Sequence, residues 1–423
     1  MTTTPATAPV DADGVIRPCP EEPGRAEAHL AAPAAQNHAA NLMVLPGGDL
    51  GCVWFGGTQE GVADISVWFS RLVPGGDTWS APVRLSDDST RSEQNPVLFP
   101  TPSGELWLLH TAQRAGHQDT AEVRRRVSHD NGVTWGPSAV LFPATAGGGV
   151  FVRQPVTVLP SGRWLLPVFR CVTVPGEQWS GGQDTSSVMV SHDAGETWDE
   201  RPVPGSTGLV HMNVHPLPDG SLVALFRSRR ADSVYRCTSR DEGETWTEPE
   251  PLDVPNNNSS VQFVPLGDGR LALVHNASSA ADATERRVSL YDEIDDDGLS
   301  GDAGTPAASP EPAEPSEAAG VAEAAGAAGA APFGAAFWGA PRAPLTLSVS
   351  PDGGRTWPVS HDLETGDGYC LTNNSRDGLN RELSYPSIAQ SRDGALHIAF
   401  THHRRTIKYL RLSADWTDGT LGA

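Results

Sequence analysis

Positive charge in this chain of 423 residues is carried almost wholly by arginine, and lysine is nearly absent. Arg153 opens the run RQPVTVLP, Arg227 lies in LVALFRSR, Arg236 shortly precedes SRDEGETW, and Arg342 precedes LTLSVS. A guanidinium presents a planar two-donor fork that matches a carboxylate, so converging copies would read an acidic ligand. They would have to act locally, because the formal net charge of −22 repels anions at long range. Carboxylates suited to proton transfer are Glu60 and Asp64 in the glycine-rich stretch FGGTQEGVAD, and Glu382, three residues before Tyr385. Loops of that kind carry function more often than structure. His38 and His211 add imidazoles, whose ordinary pKa of about 6.5 lets them accept a proton near neutrality. The amides of Asn256, Asn257 and Asn258 would suit sugar hydroxyls, although Asn runs also build ordinary turns. Asp184, ahead of the strand SSVMVS, is an equally balanced candidate.

These residues need a scaffold, and an internal repeat supplies it. The octets Ser128–Trp135, Ser191–Trp198, Ser239–Trp246 and Ser350–Trp357 share the pattern S-x-D-x-G-x-T-W, and Ser70–Trp79 is a degenerate fifth copy. In such an Asp-box the Ser and Asp side chains cap backbone N–H groups, Gly takes a positive φ, and Trp packs beneath the turn. A second series of turns sits between apolar runs at Pro46–Gly48, Pro102–Gly104, Pro160–Gly162, Pro218–Gly220, Gly267–Gly269 and Arg392–Gly394. Six hairpins, five followed by an Asp-box, predict an all-β, six-bladed propeller of four-stranded blades. Its last blade would be completed by a strand from near the N-terminus. With 44 glycines, 36 prolines and 12 tryptophans, the composition agrees with many short strands and tight turns. The propeller spans residues 26–423. Residues 1–25 and the Ala/Pro/Gly/Glu-rich insertion 301–331 in blade five read as disordered, having too little apolar area to offset ordering entropy.

Several function classes drop out. Five scattered cysteines without metal-type spacing argue against zinc, and nothing calls for an organic cofactor. The acidic balance leaves no basic stripe for nucleic acid. No run is long and apolar enough for a membrane helix, and the N-terminus lacks a secretory signal, so a cytoplasmic location with reduced thiols is expected.

With the Asp-boxes in place, the chain resembles the sialidase (neuraminidase) superfamily, in its BNR/Asp-box-repeat branch, from about Asn37 to Leu412. The likeness includes HAANL at His38–Leu42, FGGTQEG at Phe55–Gly61, PNNNSS at Pro255–Ser260 and NRELSYPS at Asn380–Ser387. The resemblance implies an arginine triad gripping a substrate carboxylate, a Tyr–Glu nucleophile and base, and an acid–base Asp in blade one. Attack at an anomeric centre that already bears a carboxylate is easier for a neutral phenol than for another carboxylate. Tyr385 matches the nucleophile, and Asp64 the acid–base residue with Glu60 as its runner-up. Arg236 matches the second arginine with Arg227 as its competitor, and Arg342 matches the third. His38 stands where the first arginine is expected and His211 where the Tyr-activating Glu is expected. Arg153 would then restore positive charge, and Glu382 or His211 would take the phenolic proton. The leading expectation is an exo-glycosidase removing a terminal acidic sugar (sialic, ulosonic or uronic) from a carbohydrate partner. A uronate lyase using His38, His211 and Tyr385, and a glycan-binding propeller without turnover, are the alternatives.

Overall fold

The computed structural model describes residues 11–173, 179–287, 294–295, 298–299, 336–373 and 378–421. Runs of two to twelve residues, the longer ones rich in Val, Leu, Phe and Trp, pair as antiparallel strands, and six sheets radiate from one axis. Blade one comprises Gln36–Val44, Leu50–Gly57, Ser66–Leu72 and Val83–Arg84; blade two runs from Ser92–Pro100 to Ala139–Phe142. In blade three the inner strand is split into Gly149–Val152 and Thr157–Val158. Blade four begins at Leu209–Pro216 and blade five at Gln262–Pro265. Blade six holds Leu383–Gln390, Leu396–His402 and Thr406–Leu412, and is completed by Arg25–His29, which pairs Ala28 with Tyr409. Apolar clusters fill the spaces between blades, as where Trp54 and Trp79 meet Tyr409.

The N-terminal expectation needs correction. From residue 11 onward the segment is built into the fold, where disorder had been expected through residue 25. Gly14 donates from its backbone to His29, Ile16 donates to Asp77, and Arg17–Pro18 pairs with Glu27 and Ala26. Backbone hydrogen bonds to blades one and six hold a stretch whose side chains offer little apolar area. The 301–331 insertion lies outside the described residues. Among the described residues no helix is long and apolar enough to cross a membrane.

Each full Asp-box joins the third and fourth strands of its blade. In blade four, Ser239 Oγ accepts from the Gly243 N–H at 2.9 Å and donates to Asp241 at 2.8 Å, while Asp241 accepts from the Thr245 N–H at 2.9 Å. Gly243 has φ +88°, and a Cβ there would lie 2.9 Å from Leu165 of the preceding blade, so the turn requires glycine twice over.

The inner strands have two features that create the site. Side-chain hydrogen bonds link every neighbouring pair of blades around the ring. Asn41 accepts from Leu98 N–H, Thr111 from Val152 N–H, Asn213 from Phe263 N–H, Gln262 from Ile388 N–H and Ser387 from Leu42 N–H. Thr157 donates to the Val214 carbonyl. In blades one, two, four and six the inner strand also bulges, with register shifts at His38/Asn41, Gln94/Val97, Val210/Asn213 and Ser384/Ser387. A left-handed residue occupies each bulge: Ala39, Asn95, His211 and Tyr385, with φ between +49° and +61°. Asn258 of blade five shares the conformation, and Arg153 fills the break in blade three. Bulges re-aim side chains, and here they point towards the axis.

Replacing Ser239 by Ala strands the buried Gly243 N–H. The expected loss is about 1–3 kcal/mol in urea unfolding, with the m-value unchanged.

Candidate active site on the propeller axis

Tyr385 sits at the centre of the axial cavity, 7% exposed and at φ +53°. Its ring lies 4.3 Å from the His38 ring and 5.6 Å from that of His211, which it meets edge-on. The guanidinium carbons of Arg153, Arg227 and Arg342 stand 5.3, 5.5 and 5.6 Å from its centroid. Its hydroxyl accepts a hydrogen bond from Arg227 Nη1. Among the described residues no carboxylate bonds that oxygen.

Charge in this cavity is unbalanced. Glu382 accepts from Arg342 Nη1 at 2.7 Å and from Arg404 Nε, and Arg404 reaches on to Glu60. Asp184 accepts from Arg229 Nε and Nη2 at 3.0 and 2.7 Å. Arg227 has no carboxylate: its Nε donates to Asn258 Oδ1 at 2.8 Å and its Nη1 to the phenol. Arg153 reaches across the axis and donates to the carbonyls of Ala39, Ala40 and Tyr385 at 3.2, 2.9 and 3.1 Å. Two of these five buried guanidiniums are thus without an anion among the described residues. Burial pulls Arg227 down to about 9 and Arg153 to about 10. Burial would also raise Glu382, but Arg404 and Arg342 outweigh it and hold the carboxyl below its ordinary value. An uncompensated buried cation is costly, so the cavity is electrostatically prepared for an anionic ligand.

The two histidines behave differently from expectation. Burial first, and the surrounding arginines second, push His38 and His211 well below the ordinary imidazole value. Both are neutral near pH 7 and weak as bases in the empty site. Among the described residues His38 Nε2 and His211 Nδ1 have no hydrogen-bond partner.

Of the residues singled out in the sequence, Tyr385, Glu60, Glu382, His38, His211, Arg153, Arg227 and Arg342 come together here. Three do not. Asp64 is exposed and caps its own loop, accepting from Thr58 N–H at 3.1 Å, so Glu60 is the blade-one carboxylate that faces the cavity. Arg236 lies on the third strand of blade four and donates to the Gly353 carbonyl at 3.1 Å, in the Asp-box of blade five. Arg227, on the second strand of blade four, lines the cavity instead. Asn257 binds Ser278 and the Pro341 carbonyl, leaving Asn258, the left-handed residue, to meet Arg227. Arg229 and Arg404 were missed. Arg229 stands two residues after Arg227, one residue past the end of the strand Leu222–Ser228, and both line the cavity. Arg404 occupies a turn with φ +55° at both His403 and itself, without a glycine or asparagine to mark it. A roomier cavity near the N-terminal strands is walled mostly by prolines, glycines and aliphatic residues such as Pro46, Leu50 and Val73.

Six blades, four of them with a full Asp-box, around an arginine-lined axial cavity define a β-propeller of the sialidase type. The chain belongs to the BNR repeat-like domain family, whose model matches residues 48–398. No protein with a curated description matches its sequence. Among solved structures it is similar to a Hadza microbial sialidase, with TM-score 0.61 and 15% identity over 90% of this chain, which spans 66% of that one. The intramolecular trans-sialidase of Ruminococcus gnavus gives TM-score 0.60 and 12% identity over 92% of this chain and 97% of that one. A Dyadobacter fermentans protein of unknown function gives TM-score 0.61 and 14% identity, covering 92% and 99%. At these identities the likeness is one of fold.

The buried histidines make stability pH-dependent. His38, His211, His215 and His275 all have pKa values depressed chiefly by burial, to about 4 for the last two. The unfolded chain binds protons below about 6.5 that the native state refuses. Their contribution is therefore complete above that pH and is lost as pH falls towards 4. Each adds a slope of up to about 1.4 kcal/mol per pH unit within the window. Urea unfolding should show a plateau above neutrality and a steep decline below pH 6, and a flat profile there would contradict neutral buried imidazoles.

Proposed function

We propose that the axial site hydrolyses a terminal acidic sugar from a glycan, with Tyr385 as nucleophile. The observation that carries this reading is Arg227, a buried guanidinium without a carboxylate, whose donor rests on the Tyr385 hydroxyl. A substrate carboxylate would bind Arg227 and the adjacent Arg342, placing the anomeric carbon over the phenol. Glu60 would protonate the leaving oxygen and afterwards activate water for the second displacement. His211 would accept the phenolic proton. The arriving carboxylate offsets the arginine charges around that imidazole and so raises its basicity when the proton must move. The six-bladed sialidase-type fold and the BNR family membership support the class of reaction.

A binding propeller is the second reading, favoured by the absence of a carboxylate on the Tyr385 hydroxyl among the described residues. Turnover separates the two. A panel of aryl glycosides of sialic, ulosonic and uronic acids should include one that is cleaved, and Tyr385→Phe should lower its kcat at least about a hundredfold. Glu60→Gln should cost about 10²–10⁴-fold on poor leaving groups and much less on nitrophenolates, which need little protonation. Saturable binding with no turnover of any member would favour the binding propeller.

A further inference from the structure

We propose that His402 and His403 are positioning residues for the reaction: stacked in a strained turn of blade six, they hold Arg404 against Glu60, the carboxylate read above as the acid. The inference rests on the acidic-sugar reading and names a control on that same site.

The turn between the second and third strands of blade six is closed by the Arg405 N–H, which donates to the His402 carbonyl at 3.1 Å. Its two central residues, His403 and Arg404, both have φ +55°, a conformation usually left to Asn and Gly. Strain of this kind persists only where the surroundings fix it. Its result is the direction of Arg404. The buried guanidinium turns inward, donating through Nε to Glu382 and through Nη1 to Glu60 Oε2. Glu60 Oε1 has no hydrogen-bond partner among the described residues and is left for the leaving oxygen. Two backbone bonds tie the turn to its neighbours: His403 N–H donates to the Glu382 carbonyl at 2.8 Å, and Asn37 N–H donates to the Arg404 carbonyl at 2.7 Å.

Imidazoles brace the turn from outside. The His402 and His403 rings stack with centroids 4.0 Å apart and planes 20° apart, and His29, from the strand Arg25–His29, meets His402 edge-on at 4.8 Å. Lys408, Arg405 and Arg381 face this stack, against Glu27, Asp367 and Glu382. Burial first, with Lys408 and Arg405 next, brings His29 and His403 down to about 4. Burial and the adjoining imidazoles bring His402 to about 2. The stack is therefore neutral near pH 7. An opened turn binds protons below about 6.5 that the closed turn refuses until about 4, so the hold on Arg404 is complete above the higher value and is lost as pH falls.

Amide exchange and kinetics test the two halves separately. One imidazole released from about 4 to about 6.5 favours the open turn about twentyfold more at pH 5 than at pH 7. In the wild type the Asn37 amide, corrected for its intrinsic exchange rate, should lose protection by that factor. In His403→Asn, which suits the left-handed position and does not titrate, the loss should be less than about fivefold. On an aryl glycoside of an acidic sugar with a poor leaving group, His403→Ala should lower kcat at least about thirtyfold with KM within about threefold. It should cost much less on a nitrophenolate, because the effect acts through Glu60. His403→Asn should recover kcat at pH 7 to within about threefold of wild type. Protection that does not change with pH in the wild type, or changes equally in His403→Asn, would overturn the stack's hold on the turn. An unchanged kcat in His403→Ala, or an equal loss on both leaving groups, would overturn the positioning role. No turnover of any acidic glycoside by the wild type would overturn the acidic-sugar reading and the positioning role with it, while the exchange arm still decides what holds the turn.

Discussion

The whole site depends on bending the inner strands of blades one, two, four and six. A regular strand alternates its side chains between the two faces of its sheet, and neither face looks down the axis. The bulges break that alternation, and Ala39, Asn95, His211 and Tyr385 take a left-handed conformation that costs non-glycine residues about 1–3 kcal/mol each. The ring of side-chain hydrogen bonds from Asn41, Thr111, Thr157, Asn213, Gln262 and Ser387 pins the strands on either side of those bends. A phenol, an imidazole and several guanidiniums from different blades therefore meet in one small volume.

Electrostatics follows from that meeting. Glu382 is shared between Arg342 and Arg404, and Arg404 between Glu382 and Glu60, so the blade-five and blade-six cations are held in a chain of alternating charge. Arg227 is left out of the chain. The histidines at the axis are neutral first because burial disfavours their charge, and the same arginines that attract an anion reinforce this. An imidazole where a carboxylate is expected thus makes the cavity more positive than a Glu would, at the cost of a ready base.

The propeller was legible because its signals are local. The Ser–Asp–Gly–Thr–Trp turns each satisfy their own hydrogen bonds within eight residues, and the hairpins between them alternate in the ordinary way. Tyr385, Arg342 and the two histidines were legible through their order along the resembling family. What escaped was position across strands. Arg236 and Arg227 each sit on a blade-four strand, and only the pairing of Leu225 with Arg236 and of Val210 with Arg227 shows which strand is inward. Asp64 and Glu60 share a loop whose path depends on the Thr58–Asp64 contact, and a four-residue spacing does not specify it. Arg404 gave no signal, since the left-handed turn that presents it contains neither glycine nor asparagine. Residue 16 and its neighbours looked structureless because their hold is through backbone atoms, which composition does not register.

Arg153 has a consequence for traffic. Its guanidinium is bolted across the axis from blade three to carbonyls of blades one and six, with Ser260 of blade five beside it at 3.2 Å. Among the described residues the centre of the propeller is therefore bridged beside Tyr385. On the reaction proposed above, a sugar acid released at the phenol would meet that bolt on the axis and turn back the way the glycan came.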